Sequence, residues 1–149
     1  MHNSDILIRE ASIDDAKYIS YIEDECFSLP WSEKSLSESM ALDNYIFLLA
    51  VVDNEISGYI GLYIAIDEGD ITNIAVKEKY RKQGIANKLL EVMIERCKQR
   101  KIININLEVR ESNFAAIKLY EKFGFENLGI RKNFYEKPLE NAMIMQNHI

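Results

Sequence analysis

The sequence predicts one α/β domain of the α+β type, a mixed central sheet of about seven strands flanked by about four helices. Three observations predict it. The chain of 149 residues has the size of a single domain, one that buries roughly 70% of its unfolded surface. Its apolar spacing switches between the two-residue period of strands and the longer period of helices, in the order βααβββαβαββ. Neither a linker nor an internal repeat interrupts that order.

Each element has its own signal. Residues 6–10 alternate weakly, as a first strand does. Ser12 stands three positions before Asp15 and ahead of an apolar series at Ala16, Ile19, Ile22 and Phe27, which predicts a capped helix over 13–27. Pro30 breaks the chain, and Ser32 is placed to cap a short second helix. Residues 45–52 and 56–66 are rich in β-branched and aromatic side chains around DNE, the pattern of a hairpin, and 71–76 reads as a further short strand. From 84 to about 100, Ile85, Leu89, Met93 and Cys97 recur at four-residue spacing with Ala86 and Leu90 beside them, so this is an amphipathic helix. Residues 103–109 alternate as a strand, 113–123 are helical with Gly124 placed to end them, and 125–135 with 142–146 make a closing antiparallel pair.

Composition narrows the function. With a net charge of −6 the chain lacks the broad basic face of a general nucleic-acid binder and suits a basic peptide or amine. The longest apolar run, 45–52, is too short to cross a bilayer. The opening MHNSDILIRE has no basic region followed by an apolar one, so a cytoplasmic protein is expected. Cys26 and Cys97 form no CxxC pair, which predicts free thiols. His2 and His148 lie near the chain ends, so neither a histidine-centred site nor a metal is expected. The motifs HExxH, GxxxxGK[ST] and GxSxG do not occur.

The segment ITNIAVKEKYRKQGIANKLLEVMI has the order of an anion site: a strand ending at Val76, a basic loop, then Gly84 opening a helix. The first N–H groups of a helix lack internal partners and carry the positive end of its dipole, so an anion satisfies both needs. Gly84 permits close approach of the backbone, Ala86 keeps a second contact small, and Arg81 and Lys82 add charge. A solvated charge run ahead of an ordinary helix is the competing interpretation.

A second constellation lies in INLEVRESNFAAIKLYEKFGF. On its strand Ile105, Leu107 and Val109 share one face, which leaves Asn104, Asn106, Glu108 and Arg110 on the other. Asn113 and Tyr120 are separated by about two helical turns and project from one side.

YRKQGIA resembles the [QR]-x-x-G-x-[GA] loop of the GNAT superfamily of N-acetyltransferases, and LEVR.SN..AI.LYE..GF is similar to a signature of its RimI subfamily, the ribosomal-protein alanine N-acetyltransferases. NIAV, FSLPWS and GIRKNFY resemble further blocks of that subfamily, so the likeness spans nearly the full chain. It implies the acyl-coenzyme A N-acyltransferase fold and acetyl-coenzyme A as co-substrate. By position, Arg81, Lys82, Gln83, Gly84, Ile85, Ala86 and Asn87 would hold its pyrophosphate. The backbone of Ile74, Ala75 and Val76 would lie along its pantetheine arm, and Asn113 would be a further coenzyme contact. Glu108 would be the proton acceptor and Tyr120 the proton donor. Trp31, Asn133, Tyr135 and Glu140 would face the acceptor, implied to be a protein N-terminus, that of ribosomal protein S18. A monomer or weak dimer is expected. Asn87, Phe134 and Asn141 depart from residues common in the family at those positions. Two other readings stay open: the same chemistry on a small amine or lysine side chain, and a non-catalytic acyl-coenzyme A sensor.

Overall fold

The computed structural model describes residues 5–149; the reading of His2 falls outside them. Asp53 and Asn54 both adopt positive φ, 51° and 64°, the conformation that a type I′ two-residue hairpin turn requires and that Asp and Asn tolerate best after glycine. They join β2 (Tyr45–Val52) to β3 (Glu55–Ala65). β1 (Leu7–Glu10) pairs antiparallel with the other edge of β2, and β4 (Glu68–Val76) with β3. β5 (Asn104–Arg110), β6 (Glu126–Tyr135) and β7 (Glu140–His148) complete one mixed sheet in the order β1-β2-β3-β4-β5-β7-β6.

Four α-helices, α1 (Ala16–Cys26), α2 (Glu33–Met40), α3 (Ile85–Gln99) and α4 (Phe114–Lys122), accompany the sheet. α3 buries Ile85, Leu89, Leu90, Met93 and Cys97 in the larger core with Leu48, Ile60, Ile105 and Met145, which α4 joins through Ile117 and Tyr120. α1 and α2 bury Ile19, Ile22 and Leu36 in the smaller core with Phe47, Leu49 and Tyr59. Alternate residues of β2 divide between the two cores, because successive side chains of a strand point to opposite faces.

The element order agrees with the sequence reading, with three local differences. β4 begins at Glu68 rather than at residue 71. Its polar opening Glu68–Gly69–Asp70 carries no apolar strand signal, yet it is paired on both edges, with β3 and with β5. β7 likewise extends to Glu140–His148, beyond the apolar residues that mark its centre. At the first helix, Ile13–Asp15 forms a 3-10 turn before α1.

The Asp15 carboxylate accepts hydrogen bonds from the Ser12 backbone N–H at 2.8 Å and from both terminal nitrogens of Arg9 at 2.9 and 3.0 Å. The Arg9 guanidinium, ahead of the Ser12 bonds, holds the Asp15 carboxyl below its ordinary range. A lowered folded-state pKa stabilises the fold fully above the unfolded value of about 3.9 and loses that contribution as pH falls through the folded value. Arg9 is 42% exposed, so solvent screens the pair. Asp15→Asn is expected to destabilise the fold by about 1 kcal/mol at neutral pH, or about 2–4 °C in Tm, and to flatten the acid limb of the stability curve. Thermal melts between pH 3 and 7 check this.

Candidate active site

The cleft comes from a mismatch in strand pairing. β4 and β5 are parallel partners only where Glu68, Gly69 and Asp70 face Asn104, Ile105 and Asn106. From there β5 stays with β7 through Arg110 and Ala142. β4 instead stays with β3 across a bulge in which Gly61 faces Asn73 and Leu62 faces Ile71, leaving Thr72 as the extra residue. A bulge bends its strand and increases the local twist. The two strands therefore part, and a cavity of about 620 Å³ opens between Ile71–Ile74 and Leu107–Arg110.

The parting exposes backbone as well as side chains. Lys77 N–H donates to Ser57 O at 2.8 Å, so by the alternation of an antiparallel ladder Ala75 and Asn73 also face β3. Ile74 and Val76 then direct their N–H and C=O groups to the side that β5 has left. Val76 O accepts from Arg81 Nε at 3.1 Å rather than from a strand.

Glu108 and Tyr120 line the same cavity with Asn113 and Tyr135. β5 presents Glu108 on its polar face, where it pairs with Arg131 at 3.3 Å and remains 35% exposed. Tyr120 is 4% exposed, with its ring against Phe125 at 5.7 Å between centroids. Its hydroxyl has no hydrogen-bond partner among the described residues, although the tyrosine belongs to the core by burial. Burial, followed by the proximity of Tyr135, pushes the Tyr120 pKa well up. Burial and then the Glu108 charge push Tyr135 up to about 12. Both phenols are thus protonated at neutral pH. Asn113 caps α4 by accepting from Ala116 N–H at 3.2 Å.

Residues 81–87 lie outside the cavity lining and form a neighbouring cradle at the start of α3. Gly84 is the N-cap at φ 83°, and no side chain caps the helix, so its first N–H groups stay available. A Cβ built on Gly84 would meet nothing within 4 Å, which marks open space at the helix entrance. Lys77 and Lys79 both pair with Glu55, at 3.3 and 3.1 Å. Arg81 reaches back to Val76 O and to Cys26 Sγ, the latter at 3.5 Å, whereas Lys82 makes no ion pair among the described residues. Ile85 is 2% exposed, so its side chain anchors the loop in the core. Gln83 Nε2 donates to Lys79 O at 3.4 Å, and Asn87 Oδ1 accepts from Lys122 Nζ, which ties α3 to α4. The open helix entrance and the unpaired Lys82 fit a polyanionic ligand such as the coenzyme pyrophosphate. Gly84→Ala should cost about 1–2 kcal/mol of stability for the left-handed backbone and weaken coenzyme binding about tenfold or more. Calorimetric titration with coenzyme A measures the second effect. Valine is a poorer probe there, because a β-branched residue at positive φ adds strain of its own.

Of the acceptor-facing candidates, Trp31 and Tyr135 line the cavity, whereas Asn133 and Glu140 do not. The Asn133 backbone N–H donates to Asn141 Oδ1 at 3.0 Å. Glu140 accepts from Ser112 N–H at 2.7 Å and from Arg110 at 3.2 Å. Arg110 also donates to Pro138 O at 2.9 Å and to Glu136 O at 3.2 Å, and stacks over Tyr135 at 4.4 Å. It straps the β6–β7 turn beside the cleft. Sequence reading placed Arg110 on the polar strand face without assigning it this task, since its acceptors are carbonyls some 26–28 residues away. It also passed over Glu23, which is buried under the cleft and looks in sequence like one more surface acid of α1.

The model for the acetyltransferase (GNAT) family matches residues 16–125, a span that holds both diverging strands and the helix entrance. The chain belongs to that family. GNAT relatives of similar length include the ribosomal protein bS18-alanine N-acetyltransferase of Escherichia coli strain K12, 35% identical over 127 residues covering 84% of this chain and 85% of that protein. The enzyme of the same name from Haemophilus influenzae is 34% identical over 142 residues, covering 93% and 96%. Among solved structures, the ribosomal-protein-S18-alanine N-acetyltransferase from Escherichia coli superposes with a TM-score of 0.91 at 32% identity, over 97% of this chain and 94% of that one. The seven-stranded sheet with four helices among the described residues is thus the GNAT acyltransferase fold, shared with that N-acetyltransferase over 97% of this chain.

Proposed function

We propose that this GNAT protein transfers the acetyl group of acetyl-coenzyme A to a protein N-terminal α-amine, and that its acceptor is the alanine N-terminus of ribosomal protein bS18. The observation that carries the reading is the convergence of Glu108 and Tyr120 on the cavity between β4 and β5. The names of the relatives support the acceptor.

Acetyl-coenzyme A supplies an activated acyl carbon and a thiol leaving group. The cradle at residues 81–87 holds its phosphates, Asn113 adds a contact, and the backbone of Ile74, Ala75 and Val76 lies along the extended arm. The outward groups of Ile74 and the Val76 N–H are open to it, because the Val76 carbonyl is engaged by Arg81. An amine attacks only through its free lone pair. With a pKa near 7.7–8.0 roughly a tenth of an α-amine is neutral at pH 7, against well under a thousandth of a lysine side chain near 10.4. Glu108 takes the proton that the α-amine nitrogen loses as the N–C bond forms, directly or through one water. Backbone N–H groups near Val76 stabilise the charge growing on the carbonyl oxygen. Tyr120, protonated and without a partner, donates to the departing sulfur. Trp31 and Tyr135 flank the acceptor, while Asn133 and Glu140 shape the β6–β7 arm behind it.

A panel of acceptors tests the reading. Thiol release is expected with Ala-started peptides and not with free small amines or internal-lysine peptides. Turnover confined to amines or lysines would reassign the acceptor, and coenzyme binding with no turnover of any acceptor would remove the enzymatic reading.

A further inference from the structure

We propose that Glu23 is a positioning residue that tethers residues 28–31, the loop between α1 and α2, as the acceptor-facing wall of the cleft. This rests on the reading above that Trp31 and its neighbours face the acceptor. Glu23 lies in the last turns of α1 at 0% exposure, deeper than any other charged residue described. No lysine or arginine pairs with it among the described residues. Instead its carboxylate receives three donors from three parts of the chain. Oε1 accepts from the Trp31 backbone N–H at 2.9 Å. Oε2 accepts from Tyr59 Oη on β3 at 2.6 Å and from Asn73 Nδ2 on β4 at 2.7 Å.

Packing alone does not explain such a group. A buried carboxylate without a cation is costly, and an apolar side chain of similar volume often serves stability as well or better. What the carboxylate supplies is connection. For residues 28–31 the bond from Trp31 N–H to Glu23 is the one hydrogen bond to the rest of the molecule among the described residues. Pro30 has no N–H to contribute, and Leu29 is 54% exposed. The opposite oxygen grips Asn73, the residue directly after the bulge at Thr72 from which the cleft opens. Trp31 and Asn73 both line the cavity. One side chain therefore sets the spacing between the loop and the strand on which the acyl group is expected to lie.

Glutamine can keep this arrangement. Its Oε1 can face Trp31 N–H, and its amide can face Tyr59 and Asn73 once the tyrosine hydroxyl rotates and the asparagine amide flips, since both can accept as well as donate. Alanine cannot. The chain has a single tryptophan, so fluorescence reports on this loop without regard to the acceptor. In Glu23→Ala, acrylamide quenching of Trp31 is expected to rise about twofold or more through local opening of the loop. The acceptor peptide KM is expected to rise about tenfold with kcat little changed, and coenzyme affinity by calorimetry to hold. Glu23→Gln should restore both quenching and KM. Because Glu23→Ala strands the Tyr59 hydroxyl, the double variant with Tyr59→Phe removes that buried donor and should show the same loop behaviour in a folded protein. Unchanged quenching in the folded double variant overturns the proposal whatever the acceptor is. So does raised quenching with an unchanged KM, or a Glu23→Gln variant as impaired as Glu23→Ala. Failure of the unaltered protein to turn over Ala-started peptides would count against the proposed acceptor instead, and the quenching comparison would still decide the tether.

Discussion

Tyr120→Phe is expected to lower turnover by roughly 100-fold to 10,000-fold, the usual contribution of one positioned acid or base, while coenzyme affinity and stability stay near their starting values. The structure makes this a clean substitution. The Tyr120 hydroxyl bonds to no described residue, so its removal strands no buried partner, and the ring keeps its contact with Phe125. Burial holds the phenol protonated, with a pKa moved upward from the ordinary tyrosine value. The donor is therefore present at every working pH, and the loss should be independent of pH. Turnover by single-cycle kinetics, compared with coenzyme titration, checks the pair of expectations. Unchanged turnover would remove Tyr120 from the donor role.

Glu108→Gln should reduce turnover on the same scale, roughly 100-fold to 10,000-fold, but with a different signature. Its partner Arg131 is 55% exposed and Glu108 35%, so the ion pair is a screened surface interaction. Its loss should cost the fold under about 1 kcal/mol. Without a carboxylate to accept the proton, the residual rate should follow the neutral fraction of the acceptor amine, rising with pH up to about 8 and levelling above it. A variant with the original pH profile would point to another base. Since both substitutions act in one transfer, the double variant should be well short of the product of the single losses.

The elements were legible where one side of the chain must be apolar. The α3 pattern of Ile85, Leu89, Met93 and Cys97 predicts a buried helical stripe, and all four are buried. The alternation of Ile105, Leu107 and Val109 with Asn106 and Glu108 sorts β5 correctly into a core face and a polar face. The same rule fails at Glu68–Asp70, where backbone pairing on both edges makes a strand that no side chain announces. The basic cluster around residue 80 is less free than its composition implies, because Glu55 engages Lys77 and Lys79 together. That pairing links positions 22–24 apart and has no local signature.

By itself, then, the sequence determined the order of elements, the polar face that bears Glu108, the helix that bears Tyr120, and Gly84 at the entrance of α3, since each follows from the spacing of neighbouring residues. Only the tertiary structure decided that Glu108 and Tyr120 meet at one cavity, with Gly84 outside its lining. The bulge at Thr72 turns β4 from β5 after a short parallel stretch, Arg110 straps the β6–β7 turn, and Glu23 reaches Trp31, Tyr59 and Asn73. The physical reason is the same in each case. A hydrogen bond between residues 36 or 50 positions apart depends on how the sheet is assembled, and the local periodicities that reveal helices and strands carry no record of it.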